Sequence, residues 1–234
     1  MSTIGIIGGA GVAATNKLQE LIEVELTRNG AYRDCQHPEI IIWQATQVPS
    51  RSMYLEGRGE SFIPGYIDIA KKLKCCGADK IAMCCNTAHY AIDEISSSAD
   101  IPFINLIECV AKEVKTKNVK SVGIMASDGC VKWKIYDKYF EKICPEVKII
   151  YPDEDYQKLV TKGICNVKNI HRFDEINSSE RPNCIFKQVK QHLIKKGVQK
   201  IISGCTDIRA DYYDENDICS LEILKNAILK ECKK

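Results

Sequence analysis

Two apolar runs in this chain end on cysteine in nearly the same way. The stretch IAMCCNTAHY (residues 81–90) closes on Cys85 and continues with Asn86, Thr87 and His89; IISGCTDIRA (residues 201–210) closes on Cys205 and continues with Thr206 and Asp207. A thiol placed where a strand gives way to a helix faces backbone N–H groups and the positive end of the helix dipole. Both favour thiolate over its reference pKa of about 8.5. Asn, Thr and Asp are N-cap residue types, and the amides beside them suit a carboxylate. Two such thiols on opposite sides of one carbon could take a proton from one face and return one to the other. Singly, each cysteine reads as a small buried hydrophobe, because free cysteine is among the most buried residue types.

The repetition extends beyond the thiols. Gly77-Ala-Asp-Lys-Ile81 leads to Cys85 with the spacing by which Gly197-Val-Gln-Lys-Ile201 leads to Cys205, an ungapped offset of 120 residues. TIGIIGGAG from Thr3 matches SVGIMASDG from Ser121 at an offset of 118, with Gly5 over Gly123 and Gly11 over Gly129. Two matches in one order and at nearly one offset predict a duplicated α/β half. Cys85 and Cys205 then sit at the C-terminal ends of equivalent strands, the edge where open α/β sheets bind ligands.

The elements that must hold these residues are legible as alternating periods. Short β-branched runs at residues 3–9, 39–44, 80–85, 102–106, 121–127, 147–152, 200–205 and 217–220 predict strands. Amphipathic stretches at residues 16–28, 66–75, 133–143 and 184–196 predict helices between them. Such alternation predicts the α/β class, with parallel sheets covered on both faces by helices. Residues 45–64, polar and glycine-containing, predict a long irregular loop over a site. The 234 residues allow one large domain or two smaller α/β lobes.

Composition removes several function classes. With 33 Lys and Arg against 31 Asp and Glu, there is no electrostatic footprint for nucleic acid or an anionic membrane, and a small molecule is the expected partner. Thirteen cysteines are an odd number, two pairs are adjacent, and no signal peptide precedes the first strand, so a reducing cytosol is expected. No Cys-x-x-Cys occurs and the four histidines are scattered, which disfavours structural zinc and thioredoxin-type redox chemistry. Most of the thirteen are expected to be buried. Apolar runs fall far short of the ~20 residues that span a bilayer. The opening Gly5-Ile-Ile-Gly-Gly-Ala-Gly11 lacks the Gly-x-Gly-x-x-Gly spacing, and the second strand runs into Gln44, Ala45 and Thr46 with no acidic residue for a ribose. A nicotinamide dinucleotide is therefore disfavoured. The glycines mark a turn where the backbone approaches something closely.

CNTAH at residues 85–89, GCTDI at residues 204–208 and IGIIGGAG at the start together resemble the cofactor-independent aspartate/glutamate racemases, over nearly the whole chain. The resemblance implies two similar Rossmann-like lobes with parallel sheets, related by a pseudo-twofold axis, with the active site in the cleft between them. The expected division is residues 1–102 plus 212–234 for the lobe carrying Cys85, and residues 103–211 for the lobe carrying Cys205. It further implies interconversion of L- and D-aspartate or glutamate by Cys85 and Cys205 as opposed acid and base, with no pyridoxal phosphate or metal, in a cytoplasmic homodimer. Gly9 and Ala10 in the first loop, with Asn86, Thr87 and Thr206, would bind substrate, the last three at its α-carboxylate. Arg51, in QVPSRS, matches a family arginine for the distal carboxylate, where a planar fork suits bidentate pairing. Lys168, in GICNVKN, matches a family lysine at the same end, with the local spacing one residue short. His89 is expected to cap a helix rather than tune Cys85.

Some positions depart from the family pattern. Gly8-Gly9-Ala10-Gly11-Val12 stands where close relatives often read Gly-Gly-Met-Gly-Pro, and Cys219 stands about where relatives often have Asp. The acidic first-loop residue usual in the glutamate racemases of cell-wall synthesis is missing, which points to the broader aspartate/glutamate group. Sister reactions of the superfamily are hydantoin racemisation, maleate isomerisation and malonate decarboxylation, whose enzymes commonly lack one cysteine or the distal cations. A silent binder of acidic amino acids is the alternative from another class.

Overall fold

Strand β1 (Ile4–Gly8) is buried along its whole length and pairs in parallel with β2 (Ile40–Gln44) on one side and β3 (Lys80–Met83) on the other. Strand β4 (Phe103–Ile104) completes a sheet of order β2-β1-β3-β4. Strands β5 (Ser121–Met125), β6 (Lys148–Ile150), β7 (Lys200–Ser203) and β8 (Ile218–Cys219) build a second parallel sheet of order β6-β5-β7-β8, the same topology again. The computed structural model describes residues 2–232. The chain forms two compact units, one running up to Leu106 and resuming at Leu221, the other Ile107–Ser220.

The helices are α1 (Val12–Arg28), α2 (Arg51–Leu55), α3 (Ile63–Cys75), α4 (Ile92–Ala99), α5 (Leu106–Thr116), α6 (Asp128–Lys132), α7 (Ile135–Ile143), α8 (Glu154–Asn166), α9 (Pro182–Lys195) and α10 (Ser220–Cys232). The duplication seen in the sequence is carried into atomic detail. Helices α3 and α9 each have proline in the first turn, and each is followed by a glycine with positive φ, Gly77 at 99° and Gly197 at 81°. Gly5 pairs with Ile81 and Gly123 with Ile201. A Cβ on Gly5 would lie 3.2 Å from the Leu73 Cβ of α3, and one on Gly123 3.2 Å from the Leu193 Cβ of α9. Each glycine thus lets its helix settle directly on the central strand of its sheet. Past the strand ends, the Cys84 N–H donates to the Ile7 carbonyl at 3.0 Å and the Gly204 N–H to the Met125 carbonyl at 2.8 Å. These bonds fix the residue just before each thiol.

Several expectations are corrected. Residues 45–64 are not irregular throughout: the Ser50 side chain accepts from the Met53 N–H at 3.4 Å and starts α2, and α3 begins at Ile63 because Pro64 suits a first turn. The helix expected at residues 133–143 is broken by Lys134 in the left-handed region (φ 50°), which separates α6 from α7. Of the thirteen cysteines, six are buried; Cys35, Cys75, Cys76 and Cys165 are exposed, Cys75 and Cys76 at the solvent-facing end of α3. The compact units divide at 106/107 and 220/221 rather than at 102/103 and 211/212, because β4 pairs with β3 and β8 with β7 before the chain leaves each sheet. Among the described residues no helix is long and apolar enough to cross a membrane.

Candidate active site

In the first unit the loop after β1 is shaped by glycine. Gly9 has φ 74°, and a Cβ there would meet the Ala45 backbone nitrogen at 2.7 Å. The Gly9 N–H donates to the Thr15 hydroxyl oxygen, which donates in turn to the Gly11 carbonyl, each at 3.0 Å. The Ala45 N–H donates to the Gly8 carbonyl at 3.1 Å, so the loop and the end of β2 are stitched together. Ala10, Ala45 and Cys85 are buried in one apolar cluster with Phe62, Tyr66 and Met83. The structure therefore brings the first loop and the Cys85 strand end into one neighbourhood.

Cys85 leads into a 3₁₀ turn, Thr87–Ala91, with Asn86 and Thr87 buried. Asn86 was expected as an N-cap, but it has helical dihedrals and its side chain makes no capping bond to this turn. The load falls instead on His89, only 2 % exposed. The Leu106 N–H donates to Nε2 at 3.0 Å, which makes Nε2 the acceptor and places the proton on Nδ1; that N–H donates to the Cys85 carbonyl at 2.9 Å. Burial pushes the imidazole down to about 4, so it stays neutral near pH 7. His89 does cap a helix, though not its own: it satisfies the first N–H of α5 while holding the backbone of the thiol.

Arg51 opens α2 and packs with it against the 3₁₀ turn after Cys85. The residue is half-buried, and Nη1 donates to the Pro49 carbonyl at 3.4 Å. Tyr66, on α3, feels both groups. Burial raises its phenol well above the ordinary value, the charge of Cys85 adds to this, and the Arg51 guanidinium opposes it. Sequence inspection did not single out Tyr66, since an aromatic residue on an amphipathic helix reads as core. The only available signal was its place on the helix that covers the Cys85 strand.

In the second unit Cys205 is half-buried and extended at the head of a matching 3₁₀ turn, Thr206–Ala210. Neither thiol turn carries a side-chain cap bond, and Thr206 and Asp207 lie inside the second turn rather than at its N-cap, which is Cys205. Thr206 and Asp207 are buried, and Lys168 just beyond α8 reaches the Asp207 carboxylate at 2.9 Å. Lys168 is thus committed to the Cys205 turn. Arg172, in the 3₁₀ turn Ile170–Phe173, donates to the Ala210 carbonyl at 3.2 Å and ties the same segment to the other end of that turn. Gly204 leaves room for Tyr136: a Cβ there would meet its ring at 3.1 Å. Cys219, opposite Ser203 in the register, is buried and its charge acts on Tyr136 together with that of Cys205. Arg51, Asn86 and Thr87 accompany Cys85 in the first unit, while Thr206 and Lys168 accompany Cys205 in the second. Among the described residues no three His, Cys, Asp or Glu side chains gather into a set suited to a metal ion.

Comparison with known proteins is consistent with this duplicated architecture. The chain is 26 % identical over 208 residues to the broad specificity amino-acid racemase RacX of Bacillus subtilis (strain 168), covering 88 % of this chain and 86 % of that one. Its fold is similar to that of the Picrophilus torridus aspartate racemase, with a TM-score of 0.84 at 25 % identity over 100 % of this chain and 95 % of the other. It is also similar to glutamate racemase isoform RacE1 from Bacillus anthracis, at 0.65 and 18 % identity over 99 % and 82 %. The Asp/Glu/Hydantoin racemase family matches residues 4–218, and the chain belongs to that family.

Proposed function

We propose that this protein interconverts the L and D forms of aspartate or glutamate without pyridoxal phosphate, using Cys85 and Cys205 as acid and base. The observation that carries this reading is the duplication of the thiol segment: β3 and β7 each end two residues before a cysteine, and each cysteine leads into a 3₁₀ turn with buried polar side chains, Cys205 directly and Cys85 through Asn86. Similarity to an aspartate racemase and to a broad specificity amino-acid racemase supports the reaction class.

In this mechanism one cysteine thiolate takes the α-proton from one face of the substrate. The electron pair left on the α-carbon is delocalised into the α-carboxylate, which needs preorganised donors because no cofactor accepts it. Asn86, Thr87 and Thr206 supply those donors, and Gly9 and Ala10 close the first loop over the reacting carbon. The opposite thiol returns a proton to the other face, and the two sulfurs exchange protonation states. The reverse reaction uses the same groups with the roles exchanged. Arg51 takes the distal carboxylate bidentately, and Lys168, which pairs with Asp207 in the free protein, adds positive charge at the same end when substrate binds. A homodimer in the cytoplasm is part of the same reading, and light scattering on the eluting protein tests the assembly.

The decisive experiment incubates pure protein, dialysed against a chelator and treated with hydroxylamine, with a panel of L-amino acids and resolves the products by chiral chromatography. The expected product is D-aspartate or D-glutamate at undiminished rate. Turnover that appears only on adding a cofactor, or no turnover of either acid, would sink the proposal.

A further inference from the structure

We propose that the Tyr66 hydroxyl is a substrate-binding group that donates a hydrogen bond to the distal carboxylate of the acidic amino acid, beside Arg51. This deepens the function proposed above and rests on it. Tyr66 is completely buried, and its ring meets Phe62 edge-on at a centroid distance of 5.4 Å, with Phe62 in turn edge-on to Tyr54 at 5.7 Å. Aromatic packing of this kind fixes where the hydroxyl points. Yet among the described residues that hydroxyl has no hydrogen-bond partner. A buried phenol left this way costs stability, and such groups are rare enough in folded proteins to call for an explanation.

The surroundings say what kind of partner fits. Tyr66 shares its cluster with Cys85, Ala10 and Ala45, so it stands among the residues of the first-unit half-site. The phenol is held protonated by burial, and so offers a donor. Arg51, whose charge reaches it, offers only donors. Two donors in one neighbourhood suit an acceptor with several lone pairs. The Cys85 sulfur makes no hydrogen bond to the hydroxyl, whereas a carboxylate can accept an arginine fork and a phenol at once. The α-carboxylate is already assigned to the polar residues after the thiols, which leaves the distal one.

The test is Tyr66→Phe, which deletes one oxygen and keeps the ring. Without ligand the variant should melt roughly 2–8 °C above wild type, because the unsatisfied group is gone. L-aspartate, L-glutamate and succinate should each raise the wild-type melting temperature and raise that of the variant much less, corresponding to binding weaker by about tenfold or more. L-alanine, which has no distal carboxylate, should affect both proteins alike. In racemisation assays KM should rise by a similar factor with kcat largely kept. A variant that melts at or below wild type with an undiminished response to the dicarboxylates overturns the assignment, as does an equal loss with L-alanine. If wild type binds the dicarboxylates through Tyr66 but racemises nothing, the proposed reaction falls and the binding assignment stands.

Discussion

Replacing His89 separates two things the structure ties together: the bracing of Cys85 and the pH dependence of folding. In the native protein the imidazole is neutral, with a pKa of about 4, while in the unfolded chain it returns to about 6.5. Between those values the unfolded state binds the extra proton, so stability rises with pH and is lost as pH falls from about 6.5 toward 4. From pH 7 to pH 5 this one group should remove about 2 kcal/mol, at about 1.4 kcal/mol for each pH step below the unfolded value. His89→Gln keeps one donor for the Cys85 carbonyl and one acceptor for the Leu106 N–H but does not titrate there. Urea unfolding of both proteins at pH 7 and pH 5 should therefore show the gap between them narrowing by about 2 kcal/mol at the lower pH. His89→Ala leaves both backbone groups buried without the ring and should cost roughly 2–6 kcal/mol at pH 7. Parallel behaviour of wild type and His89→Gln across the two pH values would refute the neutral, doubly bonded imidazole.

Other consequences can be checked separately. Arg51→Lys should lower kcat/KM for aspartate and glutamate at least tenfold, since lysine cannot reproduce the bidentate fork; an unchanged value removes Arg51 from the site. Gly9→Ala combines a left-handed φ of 74° with a Cβ 2.7 Å from the Ala45 nitrogen and should cost about 2 kcal/mol or more in urea unfolding, clearly more than Gly30→Ala, where φ is 95° but nothing lies within 4 Å. Cys85→Ala and Cys205→Ala should each abolish racemisation, yet in deuterated water one should exchange the α-proton of only the L enantiomer and the other of only the D, read by mass spectrometry. Near wild-type racemisation by either variant would remove that cysteine from the mechanism.

The architecture was legible because duplication and alternation are properties of the sequence itself. The offsets of 118 and 120 residues reappear as Gly5 and Gly123 under Leu73 and Leu193, and as matched strand orders. Features set by a single residue against its neighbours were not legible. Ser50 starting α2 inside a polar stretch, and Lys134 breaking a helix by adopting φ 50°, are local backbone choices that hydrophobic period does not encode. At the site, the cysteines and their polar followers could be read from spacing, but the work of the followers could not. Asn86 and Thr206 look like caps in sequence, and neither makes a capping bond to its own 3₁₀ turn. His89 and Tyr66 act through groups 17 residues away or on another helix, distances at which sequence carries no signal.

Where the two halves diverge, they assign different physics to equivalent thiols. Thr87 aligns with Asp207 and His89 with Arg209. The first thiol turn is held by a neutral imidazole; the second carries a buried carboxylate paired to Lys168, with Arg209 lying over the Tyr213 ring at 4.1 Å. The ion pair is itself lopsided, since the Asp207 side chain is 2 % exposed and that of Lys168 46 %. Removing the lysine leaves a charge in a low-dielectric site without its cation, whereas neutralising the aspartate leaves a lysine that already reaches water. Lys168→Met should therefore destabilise the protein more than Asp207→Asn, by about 1–2 kcal/mol after allowing for the half-exposed partner. Lys168→Arg should recover most of the loss. Urea unfolding at pH 7 measures all three, and the double variant Lys168→Met with Asp207→Asn should lie near Asp207→Asn alone. Equal costs for the two single changes would mean that the pair is held as a surface contact, and that burial of Asp207 does not organise the Cys205 turn.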